Sequence, residues 1–169
     1  MDWLQFVIQW LHVIGGITWF GTVIYTDLIL IPSLQTLPLD QQRSAGEAIG
    51  RRGIQIIIPV AIAVIVLGIL RGTVFGPIKS VDVLIGTAYG WTWLTALVLA
   101  IVAFYWGLRV LGGAVERLNS FPLEQVTLAD GSSNPAFVAI VDDIKRKAGL
   151  EFLLFLAIFT AMILMRFGL

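Results

Sequence analysis

The feature that constrains this chain most is a series of four apolar stretches, each long enough for a membrane-spanning helix. They cover residues 3–32, 54–75, 86–112 and 150–169. About 20 apolar residues suffice for a helix to cross the hydrocarbon core of a bilayer. Because lipid offers no hydrogen-bonding partner to an open backbone, each stretch is predicted to be helical. The sequence thus predicts an all-α, four-helix transmembrane bundle that forms a single domain over residues 1–169.

Composition supports lipid as the main partner and excludes several other classes. Hydrophobic residues make up 58% of the chain and charged residues 13%. The formal net charge is zero, so no basic surface for nucleic acid is expected. The chain has no cysteine, which removes disulfides, thiolate metal ligands and iron–sulfur clusters.

Basic residues are distributed unevenly among the predicted connections. The connections 33–53 and 113–149 together carry seven Lys or Arg, whereas the connection between helices two and three carries only Lys79. The positive-inside rule therefore predicts a multi-pass protein of the cell membrane with loops 33–53 and 113–149 in the cytoplasm. Both termini then face outward. Aromatic side chains are predicted to form an outer interfacial belt of Trp3, Trp10, Trp91 and Trp93, and an inner belt of Tyr25, Tyr105 and Trp106.

Helix one carries a polar stripe. Gln5, Gln9, His12, Gly16 and Trp19 are separated by four, three, four and three residues, so they share one helical face. We expect this face to point into the bundle. Amides and small residues on such a face can simply join helices, because they allow close approach and hydrogen bonding.

His12 is the single histidine of the chain and lies inside a predicted transmembrane helix. An ionisable group in that position is a functional candidate, and imidazole is a common axial ligand of haem iron. The structural alternative is a neutral imidazole that hydrogen-bonds to a neighbouring helix. A copper site is less favoured, because soft-metal sites need several His, Met or Cys ligands.

Three arrangements could complete an iron site at His12. Met162 and Met165 of helix four should lie at a similar depth, so either could be the opposite axial ligand. Two His12 side chains could meet in a homodimer, or the iron could be five-coordinate. The methionines also suit ordinary core packing.

Arg71 lies near the outer end of helix two, between Gly68 and Gly72. It could extend to lipid headgroups. Its guanidinium fork could instead bind an anion near His12, such as a haem propionate, while the two glycines leave room for a flat ligand.

Three further charges are predicted at similar depth near the cytoplasmic interface: Asp27 in helix one, Arg109 in helix three and Glu151 in helix four. Unpaired charges are costly there. We expect Asp27 and Arg109 to form a direct or water-bridged ion pair, with Glu151 close enough to share Arg109. A structural ion-pair network is the favoured interpretation, and a proton or cation relay is the functional alternative.

The segment Leu11-His12-Val13-Ile14-Gly15-Gly16-Ile17-Thr18-Trp19-Phe20-Gly21, continued by Ile31-Pro32-Ser33-Leu34, resembles the first helix of a broad membrane superfamily. That superfamily includes the copper-resistance D domain, the HemJ-type protoporphyrinogen oxidases and uncharacterised four-helix integral membrane proteins, to which the chain is most similar. The resemblance implies that His12 corresponds to a first-helix histidine that is a candidate haem ligand in HemJ-like members. The chain departs from the pattern in lacking any second histidine.

These observations predict a membrane protein that binds haem b for electron transfer or haem handling, with His12 as metal ligand and Arg71 and Met162 as further cofactor-binding residues. The alternatives are a haem-free structural or assembly subunit of a larger membrane complex, and a small solute or ion transporter. No hydrolytic or phosphoryl-transfer motif occurs, so an enzymatic role would be that of a haem-dependent membrane oxidoreductase.

Overall fold

A computed structural model describes residues 3–167, and it is almost entirely helical. Its α-helices are α1 (Trp3–Tyr25), α2 (Ile31–Leu34), α3 (Leu39–Gly72), α4 (Val81–Gly86), α5 (Ala88–Tyr105), α6 (Gly112–Asn119) and α7 (Pro135–Phe167). Two π-helical segments, Thr26–Leu30 and Trp106–Leu111, continue α1 and α5, and a short 3₁₀ turn covers Leu123–Gln125. Residues 3–167 contain no β-strand, only an isolated bridge between Thr127 and Ser133.

Four helices are long and apolar enough to cross a membrane. Span 1 is Trp3–Leu34, span 2 is Leu39–Gly72, span 3 is Ala88–Asn119 and span 4 is Pro135–Phe167. The predicted all-α four-helix bundle of an integral membrane protein is thereby confirmed. The last two residues predicted for helix four lie outside the described residues.

The helices begin and end at other residues than the apolar stretches indicated. Span 2 begins at Leu39 rather than at residue 54, and span 4 begins at Pro135 rather than at residue 150. The predicted loops 33–53 and 113–149 are therefore largely helical. Asn134 caps span 4, because its Oδ1 accepts a hydrogen bond from the Ala136 amide at 2.9 Å, and proline suits the first helical position.

The two basic connections meet at one end of the bundle, which we call the basic end. The Arg43 guanidinium, near the start of span 2, donates to the carbonyl oxygens of Leu118, at the end of span 3, and of Phe121, just after it. At the same end, Asp143 accepts from Arg117 at 3.1 Å and from Arg146 at 3.0 Å, and it also pairs with Lys147. These contacts join α6 to α7 at the start of span 4.

The start of span 1 and the end of span 2 lie at the other end of the bundle, which we call the opposite end. The Gln5 amide donates to the Phe75 carbonyl at 3.0 Å, which fixes the connection after span 2 against span 1. The short helix α4 then leads into span 3. Its start is capped by Ser80, whose hydroxyl accepts from the Val83 amide at 3.3 Å.

Aromatic packing dominates the interior. The rings of Trp19 and Phe155 meet edge to face with their centroids 5.0 Å apart. Phe20 packs on Phe155 and on Phe159, at centroid distances of 5.4 Å and 4.7 Å. This cluster joins span 1 to span 4 and leaves the outward faces apolar and exposed, as a lipid-facing surface requires.

The sidedness of the bundle stays a prediction, and the cysteine-free chain allows a clean test of it. Ser44 and Val81 are exposed at the basic end and the opposite end respectively. Single cysteines at these two positions should label from opposite sides of the membrane with an impermeant thiol reagent, with Ser44→Cys protected in intact cells. Labelling of Ser44→Cys from outside would reverse the orientation.

Candidate functional site

A cavity lies between the four spans, in the half of the bundle away from the basic end. Its volume is about 570 Å³. Span 1 contributes Gln9, His12, Gly16 and Trp19, which confirms that most of the polar stripe faces inward. A cavity of this size is typical of small-molecule and cofactor sites, whose volumes are roughly 300–1,000 Å³.

His12, Arg71 and Met162 are brought together in this cavity, although they come from three different spans. Met165 lines it as well. Most of the remaining wall consists of aliphatic and aromatic side chains such as Leu97, Ile158 and Phe159. The residues assigned to cofactor binding from sequence thus share one apolar chamber.

The imidazole of His12 is held by the backbone of span 2. Its Nδ1 lies 3.0 Å from the carbonyl oxygen of Val64. A carbonyl can only accept, so Nδ1 carries a proton, and in the neutral ring Nε2 keeps its lone pair. A backbone carbonyl that fixes the histidine tautomer in this way is the usual outer-shell partner of a metal-binding imidazole. The same bond is also what the structural alternative predicts, since it joins span 1 to span 2.

The Cε1 edge of the His12 ring lies against Gly68. A Cβ atom added at Gly68 would come within 3.1 Å of His12 Cε1, so the absence of a side chain lets the ring approach span 2. The indole of Trp93 occupies the corresponding space beside Gly72, and its Nε1 donates to the Gly68 carbonyl at 3.3 Å. The protein's own rings thus occupy the space directly beside the two glycines, which also line the cavity. The expectation that the glycines leave room for a flat ligand stays a prediction.

The sequence predicts Trp93 in the outer interfacial belt, and the structure corrects this prediction. Trp3, Trp10 and Trp91 are exposed, whereas Trp93 turns inward and lines the cavity. The signal for this in the sequence is the pair Gly68 and Gly72, four residues apart on one helical face. Such a flat face accepts a large ring from a neighbouring helix.

Arg71 closes the cavity toward the opposite end. Its Nε donates to Gln9 Oε1 at 2.6 Å, and Nη1 lies 3.5 Å from the Phe75 carbonyl oxygen. Among residues 3–167, no carboxylate lies within 4.0 Å of this guanidinium. Arg71 therefore brings a positive charge to the wall of an apolar chamber without an acidic partner in that part of the chain.

The donor set does not suit a bare metal ion. Nowhere in the described part of the chain do three or more His, Cys, Asp or Glu side chains gather as ion ligands. An iron porphyrin is different, since the macrocycle supplies four nitrogens and the protein needs to add only one or two axial ligands. A single histidine with an available Nε2 fits that need.

The inner charges are arranged differently from the predicted network. Arg109 lies on the exposed face of span 3, while Glu151 is buried and Asp27 is half-buried. The ion pairs within 4.0 Å in residues 3–167 involve only residues at the basic end. The predicted direct Asp27–Arg109 pair is wrong, because the long Arg109 side chain points away from the interior. A water-bridged contact stays a prediction.

Comparisons of the chain with protein-family models, with curated proteins and with solved structures each gave no match. The superfamily resemblance of the first helix therefore rests on its own residues.

The contact between Gly72 and Trp93 gives a stability prediction. Gly72→Ala would place a methyl group against the indole, and overpacking of this kind typically costs about 1–3 kcal/mol. The matched control is Gly21→Ala, also in a spanning helix, where an added Cβ meets nothing within 4 Å. Thermal unfolding in detergent should show a lower midpoint for Gly72→Ala and an unchanged or higher one for Gly21→Ala. Equal midpoints would contradict the close approach of spans 2 and 3.

Proposed function

We propose that the cavity binds haem b, with Nε2 of His12 as an axial ligand of the iron. The observation that carries this proposal is the hydrogen bond from His12 Nδ1 to the Val64 carbonyl. It orients the ring and, in the neutral imidazole, leaves the second nitrogen free to bind a metal. Bound haem would supply one-electron chemistry, so the protein would serve electron transfer or haem handling in the membrane.

Met162 is the residue that we propose would hold the haem together with His12. It lies on span 4 and lines the same cavity as His12. The homodimer arrangement is less suitable, because His12 is bonded inward to span 2 rather than directed to the outer surface of the bundle. A five-coordinate iron is the alternative outcome of the experiments below.

Arg71 is the residue we assign to a propionate of the haem. Its Nε is already oriented by Gln9, which leaves other guanidinium donors for an anion. A carboxylate at the cavity wall would also offset the charge that Arg71 brings there. The resemblance of the Leu11–Gly21 segment to HemJ-like first helices supports the same assignment, with His12 as the corresponding residue.

The absorption spectrum of the purified protein tests this proposal. The wild-type protein in detergent, supplied with haem during expression, should show a Soret band with about one haem per chain. His12→Ala should lose the band, and Met162→Leu should retain haem with a shifted spectrum. A colourless wild-type protein that co-purifies stoichiometrically with another membrane protein would support the structural-subunit alternative instead.

Arg71 gives a graded version of the same test. Hydrogen bonds to charged groups typically contribute about 1.5–3 kcal/mol, so Arg71→Gln should weaken haem binding roughly 10- to 100-fold in a titration with haem. The control is Arg51→Gln, an exposed arginine at the basic end, which should bind haem as the wild type does. If both variants bind equally well, Arg71 does not contact the cofactor.

A further inference from the structure

Glu151 is a buried acid that the haem proposal does not use. Within residues 3–167 it is the one charged side chain that is buried, with 6% of its surface exposed. It lies on span 4, three turns from Met162 toward the basic end. The cavity wall does not include it.

No cation compensates this carboxyl group. Across residues 3–167, no Lys, Arg or His nitrogen lies within 4.0 Å of it. Its Oε1 is directed at Gly107 of span 3, where an added Cβ would lie 2.5 Å away. An isolated carboxylate in an apolar interior is so costly that the group takes up a proton instead. Because Gly107 has no side chain, there is room for the carboxyl group of Glu151 beside it. No cationic side chain in residues 3–167 pairs with this carboxyl group.

Asp27 of span 1 is the second acid at this level. Phe20 of span 1 stacks on Phe152 of span 4, with the ring centroids 6.0 Å apart. Asp27 follows Phe20 by about two turns toward the basic end, which brings it near the level of Glu151. Asp27 is half-buried, whereas Glu151 is closed off from the surface. Two neighbouring carboxyl groups do not both ionise easily, because each charge opposes the other.

The other ionisable groups on the surrounding spans do not reach the pair. Tyr25, Tyr105 and Arg109 are exposed on the outer faces of spans 1 and 3. Lys147, one turn before Glu151 on its own helix, is held by Asp143. Both backbone segments that flank the pair are π-helical, with Asp27 in Thr26–Leu30 and Gly107 in Trp106–Leu111. Such segments are frequent at functional sites.

We propose that Glu151 and Asp27 form a proton-binding site in the half of the bundle that faces the basic end. Glu151 holds the proton in the interior, and the more accessible Asp27 exchanges it with the basic end. The site is separate from the His12 cavity, since His12 and Asp27 are 15 residues apart on span 1, or roughly 22 Å along the helix. The proton-binding site therefore does not depend on whether the His12 cavity binds haem.

Infrared difference spectroscopy on the full-length protein in lipid nanodiscs tests this site. At neutral pH the wild-type protein should show the C=O stretching band of a protonated carboxyl group, shifted in D₂O. The band should be absent in Glu151→Gln and retained in the control Glu116→Gln, which alters an exposed acid. No such band in the wild type, or an unchanged band in Glu151→Gln, would overturn the proposal.

Two further results separate a proton site from a merely structural carboxyl. Glu151→Gln is nearly isosteric with the protonated acid, so its thermal midpoint should match that of the wild type, and a large loss would show that the site needs a charge. Asp27→Asn should keep the band but change the pH range over which it disappears. An unchanged range would contradict the role of Asp27.

Discussion

Lipid offers no hydrogen bonds, and this constraint governs where every polar group of the bundle is placed. Backbone groups are satisfied within the four spans, and threonine hydroxyls donate to the carbonyl four residues earlier, as Thr18 does to Ile14 and Thr22 to Thr18. Larger polar side chains have to reach another span. His12 bonds to Val64, Trp93 to Gly68 and Arg71 to Gln9. Within the described part of the chain, the polar groups that keep bonding capacity beyond these contacts include His12 Nε2, the remaining donors of Arg71 and the carboxyl of Glu151.

Small residues decide where the spans can approach and where space is left. Val64 lies against Gly15, and the rings of His12 and Trp93 lie against Gly68 and Gly72. These contacts hold three spans together on one side of the cavity, while the aromatic cluster around Trp19 and Phe155 closes its floor. The spans thus pack closely at the glycines and at the aromatic cluster. The cavity is the space left between these two regions of close packing. It is positioned at the level of the single histidine.

Much of this arrangement could be predicted from the sequence. Helix geometry fixes both the length of an apolar run that can cross a membrane and the spacing of residues that share one helical face. Apolar runs locate the four spans, and the spacing of Gln9, His12 and Gly16 identifies the inward face. The direction of Arg109 could not be predicted in the same way, since depth along a helix does not specify which face a side chain occupies. The π-helical turn at Trp106–Leu111 changes the helical phase there. The bond of His12 to Val64 involves a backbone carbonyl, which no residue type reveals.

Haem binding as proposed depends on the protonation state of His12, which nitrogen NMR measures directly. Because the chain has one histidine, protein labelled with ¹⁵N-histidine gives signals from a single imidazole. We expect a neutral ring with the proton on Nδ1 and an unprotonated Nε2, whose signal is lost or strongly shifted when haem is added. A ring protonated at Nε2, or signals that do not change with a stoichiometric amount of haem, would contradict it.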